Sequence, residues 1–221
     1  MKIAIYSDER TGGTSLLNWI SQELNYIKHN EPFSDKLEVL NYLENLKNNS
    51  VSKFVISEIS NFFLEKKNLS QDLIEYINLN EINNIIEWEL NFLKKFLKFD
   101  KIIILGRSDI IQSSISKIAH HYLSSEEKNI KNINGVLKKQ YNETLLVKKY
   151  KKELKEIVDI SFDYWIDCYL MSEFIENSIY VSYEGVYYQY DNSLEKLKNF
   201  LYIDEFKYLD MINMKYKEKN V

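Results

Sequence analysis

The 221-residue sequence holds one cysteine, one proline, five glycines and two arginines. A single cysteine, Cys168, excludes an intramolecular disulfide, and three histidines (His29, His120 and His121) provide no zinc-type ligand spacing. The expected setting is a reducing cytoplasm, with no metal. No run approaches the roughly 18–20 apolar residues that cross a bilayer, and the strand-like opening KIAIYSDER carries no signal-peptide pattern. No transmembrane segment is expected. A basic excess is also lacking: the net charge is −4, which argues against a general nucleic-acid binder and makes any anion site a local one. With no proline- or glycine-rich linker and no internal repeat, a chain of this length is expected to form one domain over residues 1–221.

Scarcity makes the rare residues informative. Against 27 lysines stand only Arg10 and Arg107; the sole proline is Pro32, and two of the five glycines, Gly12 and Gly13, are adjacent. Most of these residues fall at the ends of apolar runs. KIAIYS (2–7), KFVIS (53–57), KIIIL (101–105) and SIYVSY (178–183) read as strands. Helical spacing predicts helices from Thr14 through Ile27 and over 62–78, 81–99, 109–123, 136–158, 161–176 and 193–202, with a loop after the last strand. Strands alternating with helices imply parallel crossovers and a three-layer α/β/α domain with a central, mainly parallel sheet.

In such a sheet, ligands bind at the carboxyl ends of the strands, where a following helix points its first N–H groups and its positive dipole end outward. The loop SDERTGGTSLL (7–17) stands at such a point. Gly12 and Gly13 allow close backbone approach and positive φ, and Thr14 and Ser15 add hydroxyl donors, so the segment reads as a phosphate or sulfate cradle. The nucleotide-triphosphate pattern GxxxxGK[ST] is not met, because no lysine follows Gly13.

A strand, then Arg10-Thr11-Gly12-Gly13-Thr14, then a helix with Leu16 and Leu17 resembles the 5′-phosphosulfate loop of sulfotransferases, which use 3′-phosphoadenosine 5′-phosphosulfate (PAPS) on a P-loop NTPase-like fold. Three further stretches extend the resemblance. Arg107 follows KIIILG and Ser116 lies nine residues on, as in the pair that holds the 3′-phosphate in that family, with Ser113 and Ser114 as alternatives. Tyr183-Glu184 in YVSYEG matches the tyrosine beside the adenine. Glu31-Pro32 in HNEPF matches a Glu-Pro pair of bacterial relatives. Two departures stand out: Glu9 replaces a neutral residue or proline, and Gly13 replaces a hydroxyl residue.

The resemblance implies a PAPS-dependent enzyme that moves a sulfuryl group to a hydroxyl or amine of a carbohydrate, lipid or small-molecule acceptor, with PAP as product. Arg10, Thr11, Gly12, Gly13, Thr14, Ser15, Arg107, Ser116 and Tyr183 would bind the cofactor. Arg10 would stabilise leaving-group charge, and Glu31 would be the base, with His29 and then Glu58 behind it. Two alternatives stay open: a non-catalytic PAP- or nucleotide-binding module, and a nucleotide-dependent phosphotransferase on the same scaffold. The lysine-rich stretch 138–155 reads as a solvated helix face, His120–His121 as packing or surface, and Cys168 within FDYWIDCYLM as core in an aromatic run that could border the acceptor pocket.

Overall fold

A computed structural model describes residues 1–34, 36–64, 84–123 and 143–204. Five strands, β1 (Lys2–Ser7), β2 (Ile27–Asn30), β3 (Ser50–Val55), β4 (Lys101–Gly106) and β5 (Ser178–Ser182), form one sheet in the order β2-β3-β1-β4-β5. Every pairing is parallel, with Tyr6 opposite Phe54 on one side and Ile104 on the other. This is the expected three-layer α/β/α arrangement with a parallel central sheet, and β1 stands at its centre.

Alternation along the central strands divides the core in two. Ile3 and Ile5 of β1, with Ile103 and Leu105 of β4, face one layer. There they meet Leu16, Leu17, Trp19 and Ile20 of α1 (Gly13–Leu24). Ala4 and Tyr6, with Ile102 and Ile104, face the other, against Val39 and Tyr42 of α2 (Lys36–Asn45), Phe62 of α3 (Glu58–Leu64) and Phe92. Both faces being covered explains why KIIIL lacks a polar alternation. Each fully buried isoleucine contributes on the order of 2 kcal/mol.

The remaining described helices are α4 (Ile85–Asn91), which runs into a π-helical turn at Phe92–Phe96, and α5 (Ile110–Ile118), which does the same at Ala119–Leu123. They are followed by α6 (Glu143–Lys149), α7 (Lys151–Phe174), α8 (Tyr183–Tyr188) and α9 (Ser193–Leu201). Several boundaries differ from the sequence reading. The first helix stops at Leu24 because Asn25 takes a left-handed conformation and Tyr26 N–H bonds back to Ser21; Ile27, expected to continue that helix, opens β2 instead. The expected break near 158–161 is absent, since α7 runs unbroken through it. The expected loop after β5 is α8, capped by Ser182 Oγ accepting from Gly185 N at 2.8 Å. Of the helices expected over 62–78, 81–99 and 136–158, residues 65–78, 81–83 and 136–142 lie outside the described residues.

Candidate functional site

The carboxyl edge of the sheet carries the loops in spatial order: Glu31 after β2, Lys53 near the end of β3, residues 8–15 after β1, Arg107 after β4 and Tyr183 after β5. They line one open cleft of about 1760 Å³, solvent at its mouth included. Of the residues expected to bind the cofactor, Arg10, Thr11, Gly12, Gly13, Thr14, Ser15, Arg107, Ser116 and Tyr183 all line it, and so does Glu31. The two guanidinium groups therefore share a single cleft.

The loop earns its glycines for two different reasons. Gly12 is the N-cap of α1 at φ 82°, and a β-carbon there would lie 2.6 Å from the Tyr183 ring. Gly13 was expected to take positive φ as well, but among the described glycines only Gly12 does. Gly13 is needed for space: its β-carbon would lie 2.6 Å from Ser7 Oγ and 3.0 Å from Lys53 Cε. Arg10 is itself left-handed, at φ 59°, and its buried Nε has no hydrogen-bond partner. Thr11 Oγ1 is committed to Asp8 O at 2.6 Å, and Tyr187 Oη donates to Gly12 O at 3.2 Å. Thr14 Oγ1 sits 3.4 Å from Asn30 Oδ1.

Most cleft cations are paired. Arg107 Nε donates to Glu184 Oε1 at 3.2 Å, and its guanidinium lies over the Tyr183 ring, 4.7 Å from the centroid. Lys53 Nζ, on a side chain only 8% exposed, pairs with Glu31 Oε1. Asp8 pairs with Lys117, which also donates to Ser161 Oγ at 2.8 Å. Arg10, by contrast, has no carboxylate partner among the described residues.

Glu31 is the base candidate that the structure places in the cleft. Its φ of 50° is left-handed, its N–H donates to Lys53 O at 2.9 Å, and its carbonyl accepts from Ser34 N at 3.0 Å, so the turn is pinned on β3. His29 does not line the cleft. It points from the edge strand onto Tyr42, ring centroids 5.1 Å apart, where burial lowers its pKa. Glu58 does not line it either: its two oxygens accept from Phe33 N at 2.7 Å and Val55 N at 2.8 Å. Burial pushes its carboxyl up to about 7, the two N–H donors work against that rise, and the Glu31 charge adds to it. Ser114 Oγ bonds to Ile110 O at 2.8 Å.

Three placements go beyond the sequence reading. His120 and His121, expected to be packing or surface, line the cleft. Lys53, unnoticed among 27 lysines, reaches the glycine loop from a neighbouring strand; its signal was a lysine inside a strand otherwise buried on both faces. A second, narrow pocket of about 350 Å³, open solvent included, shares Asp8, Thr11 and Arg107 with the cleft and is walled by Ser113, Tyr164, Trp165 and Cys168, so the aromatic run does border a pocket. Cys168 is buried, and burial pushes its thiol well up. No group of three or more His, Cys, Asp or Glu able to hold a metal occurs among the described residues, and no described helix is long and apolar enough to cross a membrane.

No protein-family model and no curated protein matches the sequence. Similar solved structures include deoxyadenosine kinase from M. mycoides with bound dCTP, at 19% identity and a TM-score of 0.40, over 90% of this chain and 100% of that one. At that level of likeness the cleft has to be understood from its own residues.

Proposed function

We propose that the cleft binds a nucleotide by its phosphates and that the protein is a nucleotide-dependent phosphotransferase acting on a hydroxyl acceptor. The observation that carries this reading is the convergence of the Arg10–Ser15 loop, Glu31, Lys53, Arg107 and Tyr183 on one cleft at the carboxyl edge of the sheet. Phosphates would sit on the loop amides and the start of α1, with Arg10 supplying the uncommitted charge. Mg²⁺ would arrive with the nucleotide as part of the substrate, since such ions use one or two carboxylates besides the phosphates, and Asp8 and Glu9 are the acidic residues of the loop.

In the reaction, the acceptor oxygen attacks the terminal phosphorus and its proton passes to the Glu31 carboxylate. The bond to the bridging oxygen breaks, and the leaving nucleotide keeps the electron pair. Arg10 and the loop amides stabilise that charge, so catalysis rests on positioning and fixed donors.

PAPS-dependent sulfuryl transfer is the second reading. Arg107 and Ser116 line the same cleft as the glycine loop, as an anchor for a 3′-phosphate would require. The Arg107–Glu184 pair favours the first reading, because a carboxylate on that guanidinium opposes a second phosphate there.

Transfer of label from γ-labelled ATP, with and without Mg²⁺, and from sulfur-labelled PAPS, to a panel of hydroxyl acceptors tests the reading. Mg²⁺-dependent transfer from ATP, lost in Glu31→Gln, supports phosphotransfer. Metal-independent transfer from PAPS alone replaces it with the sulfotransferase reading.

A further inference from the structure

The nucleotide loop contains no lysine, yet a lysine side chain lies against it. Lys53 belongs to β3, where its Cα pairs in register with Ile5 and with Asn30. Its stem crosses Gly13 so closely that a β-carbon there would lie 3.0 Å from Cε and 3.4 Å from Cδ. The ammonium beyond that stem ends on Glu31, the base candidate, and both residues line the cleft. Glu31 is held from its backbone as well, by N–H donation to Lys53 O, so the turn that carries the carboxylate does not depend on the ion pair.

We infer that Lys53 supplies, from the strand beside the loop, the phosphate-binding cation that the loop lacks, and that it exchanges Glu31 for a phosphate oxygen when the nucleotide binds. The inference rests on the phosphotransferase reading for the identity of the ligand. Without ligand, the two opposite charges satisfy each other beside the glycines. A polyphosphate on the loop offers the ammonium a more highly charged acceptor a short rotation away, and Lys53 has a four-carbon stem on which to make that rotation. The same movement leaves a Glu31 carboxylate oxygen open to accept the proton that an acceptor hydroxyl must lose. Gly13 is then the residue whose lack of a side chain lets a lysine from another strand do this work.

Calorimetric titration of the full chain with inorganic tripolyphosphate and with Mg·ATP tests the exchange, using wild type, Glu31→Gln, Lys53→Met and the double variant Lys53→Met/Glu31→Gln. Circular dichroism and melting of the unliganded proteins report folding, and the double variant leaves no unpaired carboxylate should Lys53→Met alone fold poorly. Glu31→Gln should tighten tripolyphosphate by about threefold or more, because the lysine no longer has to leave a carboxylate. The double variant should then bind about tenfold more weakly than Glu31→Gln. Unchanged or weaker binding by Glu31→Gln, or a double variant that binds as well as Glu31→Gln, overturns the inference and leaves the phosphotransferase reading standing if wild type still binds Mg·ATP. Lysine-dependent binding of tripolyphosphate without binding of Mg·ATP upholds the inference and overturns the nucleotide reading. Failure of both probes to bind overturns both.

Discussion

Arg107 and Glu184 hold each other across the tops of β4 and β5: Arg107 Nε donates to Glu184 Oε1 at 3.2 Å, and the other carboxylate oxygen accepts from Ser108 N at 2.8 Å. The pair fixes the guanidinium over Tyr183 and joins the end of β4 to the first turn of α8. Glu184 is 12% exposed, so water does little to replace it. Glu184→Ala should lower the unfolding free energy by about 1–3 kcal/mol in urea denaturation. A change below about 0.5 kcal/mol would show the pair to be incidental.

Gly12 should not tolerate a side chain. Gly12→Ala combines a left-handed φ of 82° with a contact 2.6 Å from the Tyr183 ring. It should cost about 1–3 kcal/mol and abolish phosphate binding, read by melting and by titration with ATP. Native-like affinity in Gly12→Ala would remove the loop geometry from the account.

Tyr183 acts through its ring. It stands between Gly12 and the Arg107 guanidinium. Tyr183→Phe should keep nucleotide affinity within about twofold, whereas Tyr183→Ala should weaken it about tenfold by releasing both neighbours. Equal losses in the two variants would assign the role to the hydroxyl.

Glu58 gives a pH dependence with a defined sign. Its folded carboxyl is raised from 4.5 to about 7, so the folded chain binds the proton more tightly than the unfolded chain does. The resulting stabilisation is complete below about pH 4.5 and is lost as pH rises through about 7. Melting of wild type and Glu58→Gln from pH 4 to 8 should show wild type losing stability relative to the variant across that window. A constant difference between the two would contradict the assignment.

The sheet and the glycine loop were legible because both faces of the central strands are covered and because the rare residues Arg10, Gly12, Gly13 and Arg107 stand at strand ends. The edge strand β2 was not legible: IKHN is short and largely exposed, and Ile27 happened to continue the helical spacing of α1. YEGVYY gives no helical period, and α8 forms because Ser182 caps it and Glu184 is tied to Arg107 and Ser108. In the site, His29 does not join Glu31 in the cleft although only one residue separates them: the strand ends at Asn30, Glu31 turns away at a left-handed φ, and the His29 ring lies against Tyr42. Lys53 was missed for the opposite reason. A residue distant in sequence becomes the loop's neighbour only once β3 is set beside β1.

The central claim is that nucleotide phosphates rest on the loop around Arg10, and a calorimetric titration of Mg·ATP into wild type and Arg10→Ala tests it most directly. The account predicts saturable binding by wild type, weakened about tenfold or more in Arg10→Ala with the unliganded melting temperature little changed. Equal affinity in the two proteins, or no binding by wild type, would contradict it.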